Sequence, residues 1–299
     1  MPIHDNRRLS GAFAALITPT DLRGSPDLDT LDRVVDFVTG HGVDGVVVGG
    51  GTAEYPHFTV AERASTIARV RRRLDSSLAL IASVGTSSIH TTLKLAHLAC
   101  EQEPDYLLIS MPYFFQYGQD DLAAFCERVC EAVSVPCLLY NLPSFTAGIT
   151  APTAVRLLES VPNLVGIKDS SGDGNNLAPL GELRRRSAVS LLVGDDSLLL
   201  SALVAGWDGV ISGIACFAPD LIVSVYRAFR SYRLEEATAQ QRVLDELIGK
   251  LVRMPIPWGV RIGLETRGIP NGPLHQPIAE SRKAAIADFQ AWVREWCAS

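Results

Sequence analysis

The chain has 299 residues, 47% hydrophobic and 20% charged, and its 27 basic against 33 acidic side chains leave a formal net charge of −6. That length and apolar fraction suit one large α/β domain or two small ones and exclude a disordered or low-complexity protein. Mild acidity, with no basic stripe beyond Arg71-Arg72-Arg73 and Arg184-Arg185-Arg186, argues against a nucleic-acid partner, and no apolar run reaches the ~18 residues of a membrane span.

Eight short aliphatic or β-branched runs follow one another along the chain. They are GAFAALITP (11–19), GVDGVVVGG (42–50), LALIASVG (78–85), DYLLISMP (105–112), PCLLYN (136–141), LVGIKDS (164–170), VSLLVGDD (189–196) and GWDGVISG (206–213). Near-continuous rather than alternating apolarity is the mark of strands covered on both faces. The stretches between them read as helices. Asp29 to Thr39 places Leu31, Val34, Val35 and Val38 at helical spacing, Val60 to Leu74 and Ser88 to Glu101 behave alike, and Asp120 to Val133 has the acidic start that favours a helix N-terminus.

Eight such units predict a closed (β/α)8 TIM barrel over residues 1–220. The competing doubly wound dinucleotide fold fits poorly. Gly45 to Gly51 reads GVVVGGG rather than GxGxxG, and no ribose-binding acid follows about 20 residues later. Beyond the eighth run, Pro219 to Leu251 reads as one long or two abutting helices. MPIPWG and GIPNGPLHQP read as a Pro-rich connector, and Glu280 to Trp296 as an amphipathic helix. Residues 221–299 are thus expected as a helical appendage packed on the barrel.

The start, MPIHDNRRLSG, lacks the apolar segment of a secretory signal, and six cysteines without a CxxC pair fit a reduced, cytoplasmic setting. The six histidines form no HExxH cluster, so neither a metal nor another cofactor is expected.

Only four of the basic residues are lysines, Lys94, Lys168, Lys250 and Lys283, which limits side-chain amine chemistry to four positions. Functional groups of such barrels lie at the C-terminal strand ends. Lys168 is the one lysine there, directly after Leu164-Val165-Gly166-Ile167. It admits two readings: a buried ion pair with Asp169 or another core acid, or a desolvated amine that attacks a carbonyl. Tyr140, ending the preceding strand, is either a hydrogen-bonded core residue or a proton shuttle for that attack. Gly49-Gly50-Gly51 before Thr52 suits a tight turn or a cradle whose N–H groups approach an anion. A carboxylate held there beside Lys168 defines a 2-keto acid site. Asp195-Asp196 at the end of the seventh strand would repel phosphate but suits substrate hydroxyls.

Three segments, GGTAE (50–54), YNLPSFT (140–146) and GIKDSSGD (166–173), resemble the motifs of the pyruvate-dependent class I aldolases, the family of dihydrodipicolinate synthase and N-acetylneuraminate lyase. The resemblance implies that Lys168 forms an imine with a 2-keto acid and that Tyr140 transfers protons. It also implies that Gly51 and Thr52 bind the carboxylate, that Asp196 contacts hydroxyls and that Gly213 lines the same subsite. Tyr113 and Phe114 match a segment that approaches a neighbouring subunit, and such enzymes are commonly homotetramers. Ala53 departs from the usual glycine. Phe145 stands where dihydrodipicolinate synthases carry arginine, and Gly51 and Phe114 replace their Thr and Tyr, which disfavours that activity. The motifs look closer to 2-keto-3-deoxy sugar-acid aldolases, with a dehydratase of the same acids as the alternative. A non-catalytic sugar-acid-sensing barrel is a further alternative, but gives no reason for Lys168 and Tyr140 to occur together.

Overall fold

The computed structural model describes residues 8–298, so most of the amino-terminal MPIHDNRRLSG stretch lies outside the described residues. Each apolar run supplies one strand. These are β1 Gly11–Ala15, β2 Gly45–Val48, β3 Ala79–Ser83, β4 Tyr106–Ser110, β5 Cys137–Asn141, β6 Leu164–Asp169, β7 Ser190–Val193 and β8 Gly209–Ser212. All pair in parallel and in sequence order, and β8 returns to β1 through Gly11↔Gly209 to Ala14↔Ser212, which closes the barrel.

Side chains alternate across the strands and so build two cores. Phe13, Val47, Ile81, Leu108, Leu138, Leu192 and Ile211 point inward and fill the barrel. Ala12, Val46, Leu80, Leu107, Leu139, Leu191 and Val210 point outward and pack under the helices. Both faces are dry, which is why the runs are apolar throughout rather than alternating.

The helices between strands are α1 Leu28–Gly40, α2 Val60–Arg73, α3 Ile89–Cys100, α4 Gln119–Glu131, α5 Ala151–Ser160, α6 Leu177–Arg186 and α7 Leu199–Val204, with α8 Pro219–Arg230 after β8. Local chemistry fixes their starts. Asp27 caps α1 by accepting from the Asp29 and Thr30 N–H groups, and Thr59 with Glu62 forms a reciprocal capping box on α2.

The tail carries α9 Leu234–Leu251, α10 Ile256–Thr266 and α11 Glu280–Ala298. Pro219 to Leu251 is therefore two helices, separated where Tyr232 takes a left-handed φ of 61°. The expected connector holds only in part. GIPNGPLHQP is non-helical, but MPIPWG opens α10 instead of bridging to it. Proline in a first turn has no N–H to lose and a preset φ, so it starts a helix as readily as it ends one. Gly259 and Gly263 then let α10 lie close against Leu251 and Phe217, where a Cβ would collide.

Candidate active site

The register between β5 and β6 sets Tyr140 directly beside Lys168. Both point into the barrel, both are buried, and Lys168 Nζ donates to the Tyr140 hydroxyl at 3.2 Å while lying 4.3 Å from the ring centroid. Asp169, the neighbour in sequence, faces the other way. It accepts from Asn141 Nδ2 at 2.8 Å and from Ser171 Oγ at 3.0 Å. Alternation along the strand thus removes the ion pair that adjacency suggested, and among the described residues Lys168 makes no salt bridge. Gly194, at the end of β7, keeps the lysine's space clear, because a Cβ there would stand 2.7 Å from Lys168 Cε.

Above this pair opens a cavity of about 640 Å³, within the usual size of a small-molecule site. The seven residues expected from the sequence to bind or react with substrate all line it: Gly51, Thr52, Tyr113, Tyr140, Lys168, Asp196 and Gly213. Gly51 and Thr52 begin a 3-10 turn whose first N–H groups have no partner within the turn. Gly51 also sits against the Tyr140 hydroxyl, since a Cβ there would be 3.3 Å from its oxygen. Gly213 faces Thr52, whose Oγ1 would be 2.9 Å from an added Cβ. Asp196 is recessed in the wall, and its Oδ1 is buried without a hydrogen-bond partner. Burial pushes its carboxyl up to about 7, while Ser212, Lys168 and the Ile214 N–H pull it back.

Residues 8–295 match the Dihydrodipicolinate synthetase family. The chain belongs to this family. Among its relatives is the 4-hydroxy-tetrahydrodipicolinate synthase of Moorella thermoacetica, 31% identical over 286 residues, with 95% of this chain and 97% of the relative covered. The N-acetylneuraminate lyase of Rhizobium meliloti is 30% identical over 294 residues, covering 97% of each. Among solved structures, the dihydrodipicolinate synthase of Thermotoga maritima superposes with a TM-score of 0.90 at 27% identity, covering 97% of this chain and 99% of that one. The protein is thus a lyase of the pyruvate-dependent Schiff-base aldolase family.

Several residues in the lining and behind it escape the sequence reading. Glu54, in a left-handed conformation of φ 54°, is buried and pairs with Arg261 of α10, Nη1 to Oε2 at 3.4 Å. Burial pushes the Glu54 carboxyl up, and Arg261 draws it down. The Arg261 guanidinium also donates to Thr18 O, Thr20 Oγ1, Asn271 O and Pro273 O, so it ties the loop after β1 to the tail. His275 stacks on His57 at 4.3 Å, and desolvation lowers its pKa to about 4. Tyr55 lies under the Arg63 guanidinium, 4.7 Å from centroid to Cζ, and Arg63 donates to Ser83 O and Gly85 O at 3.0 Å. The pairing of Glu54 with a residue 207 positions away leaves no local signal. Only the apolar setting of a lone arginine in Trp258-Gly259-Val260-Arg261-Ile262 hints at it.

Proposed function

We propose that this enzyme cleaves a 2-keto-3-deoxy sugar acid, or a related 4-hydroxy-2-keto acid, to pyruvate and an aldehyde. The contact of Lys168 Nζ with the Tyr140 hydroxyl at the floor of an open pocket carries the reading. The unprotonated amine adds to the C2 carbonyl, and the carbinolamine oxygen departs as water with the Tyr140 proton, leaving an iminium. The phenolate then takes the C4 hydroxyl proton. The C3–C4 bond breaks, its electron pair passes into the iminium to form an enamine, and the aldehyde leaves. Tyr140 returns the proton to C3, and water hydrolyses the imine to pyruvate and free Lys168.

Gly51 and Thr52 hold the substrate carboxylate on their N–H groups, Gly213 leaves room beside Thr52, and Asp196 contacts substrate hydroxyls. Apart from Lys168, no lysine or arginine lines the pocket among the described residues, and Phe145 stands at its rim. A second carboxylate, such as that of an amino-aldehyde acceptor, therefore finds no lysine or arginine partner among the described residues, which weighs against dihydrodipicolinate synthesis. A second reading, dehydration through the same imine, draws on Asp196. With a pKa near 7 it can protonate a departing C4 hydroxyl. Product analysis separates the two: pyruvate marks cleavage, and an intact carbon skeleton marks dehydration. We further propose a homotetramer in which Tyr113-Phe114 meets a neighbour. The left-handed φ of 83° and 86% exposure of Phe114 support that contact.

Borohydride trapping with pyruvate, followed by peptide mapping, tests the mechanism. An adduct on Lys168 that vanishes in Lys168→Ala, with activity lowered at least about 10,000-fold, is expected. An equal adduct in the variant would sink it.

A further inference from the structure

Resting on that imine reading, we infer that Arg63 is a positioning residue that holds the Gly51-Thr52 turn ready for the substrate carboxylate. The proposed mechanism leaves this side chain unused, yet it is buried against the ring of Tyr55, which lines the cavity.

Arg63 reaches from α2 to the backbone at the carboxyl ends of β2 and β3. Its Nη1 donates to Gly85 O at 3.0 Å, and its Nη2 donates to Ser83 O at 3.0 Å and Gly49 O at 3.4 Å. Gly49 follows β2 with a left-handed φ of 73° and leads through Gly50 into the 3-10 turn that begins at Gly51. One planar fork therefore fixes the backbone just ahead of the N–H groups proposed to meet the carboxylate.

Two features point beyond support of the fold, toward an anion. Arg261 is matched by the Glu54 carboxylate, whereas among the described residues no acid pairs with Arg63. Burial lowers its pKa to about 10, so it stays charged at neutral pH, and the ionisable groups that bear on it are the phenols Tyr55 and Tyr113. Its Nε is also buried without a hydrogen-bond partner. A buried cation short of a counter-ion is unfavourable, and an anion resting on the adjoining turn offsets that. The substrate carboxylate is such an anion.

Pyruvate and acetone separate this role from general support, because both can form an imine with Lys168 but only pyruvate carries a carboxylate. The measurement is the half-saturating concentration of each ketone for borohydride trapping on Lys168. The unaltered protein should need at least about 100-fold less pyruvate than acetone. In Arg63→Met the pyruvate value should rise about 10- to 100-fold, the range for losing hydrogen bonds from a charged group, with acetone held within about threefold. Arg63→Lys, which keeps the charge but not the fork, should weaken pyruvate alone by about three- to tenfold, and it decides the question if Arg63→Met does not fold. Equal losses for both ketones in a folded variant, no loss for pyruvate, or a parent that traps the two alike overturns the inference and leaves the imine intact. Absence of any adduct on Lys168 in the unaltered protein overturns the imine reading, and the inference with it.

Discussion

Two buried cations of this barrel contrast. Lys168 stands at the floor of an open cavity, with one phenol for a partner and no carboxylate among the described residues. Arg261 stands behind the wall, buried to 1%, with five oxygen acceptors around its guanidinium. A buried amine with spare hydrogen-bonding capacity beside a cavity is poised to bond something else. A guanidinium that cannot shed its proton and is enclosed by carbonyls can only hold structure together. The pattern of partners, not burial, separates the proposed nucleophile from the brace.

This contrast can be broken by exchanging the symptoms. Tyr140→Phe keeps the ring but removes the hydroxyl from Lys168. Turnover should fall about 100- to 10,000-fold, with a denaturation midpoint close to that of the parent, measured by steady-state kinetics and urea titration. A stability loss as large as the activity loss would make Tyr140 a brace. Arg261→Met should do the reverse. It strands Glu54 without its cation and costs about 3–5 kcal/mol in urea unfolding, while Lys168 still traps pyruvate. Adding Glu54→Gln should recover part of that loss, as a coupled pair requires.

Smaller effects sharpen the same line. Gly194→Ala drives a methyl into both Ser170 Oγ and Lys168 Cε, and displacement of the lysine on the order of an ångström should slow imine formation about 100-fold, with a smaller loss of stability from the collision with Ser170. The pH dependence of stability should contain two opposed contributions. Asp196, raised from 3.8 to about 7, favours folding fully below pH 3.8, and that contribution disappears as pH rises through 7. His275, lowered from 6.5 to about 4, contributes above pH 6.5 and loses that contribution as pH falls through 4. Between these limits Asp196→Asn should make stability rise more steeply with pH than in the parent, and His275→Gln less steeply. Unfolding midpoints from pH 4 to 7 measure both slopes.

The barrel was legible because each strand is dry on both faces, so eight unbroken apolar runs mark it without any long-range information. Lys168 stood out for a related reason, since a charged residue ending such a run has few places to be. The Asp169 alternative persisted because adjacency in sequence says nothing of side-chain direction until strand and register are known. The wall made by Ile248, Leu251 and Val260 was hidden. Its residues look like ordinary helix-core positions, and only the packing of α9 and α10 over the strand ends exposes them to the cavity. Arg261 was missed through Pro255 and Pro257, which read as a break where they start a helix.

The pairing of Tyr140 with Lys168 across β5 and β6 has an evolutionary consequence. The backbone ladder of two neighbouring strands sets that spacing, whereas the surfaces that would read the rest of a substrate come from loops and from helices late in the chain. Mutations can therefore accumulate in the surrounding wall without disturbing Lys168 and Tyr140. Chains that share this barrel can diverge in what they cleave while conserving how they cleave it.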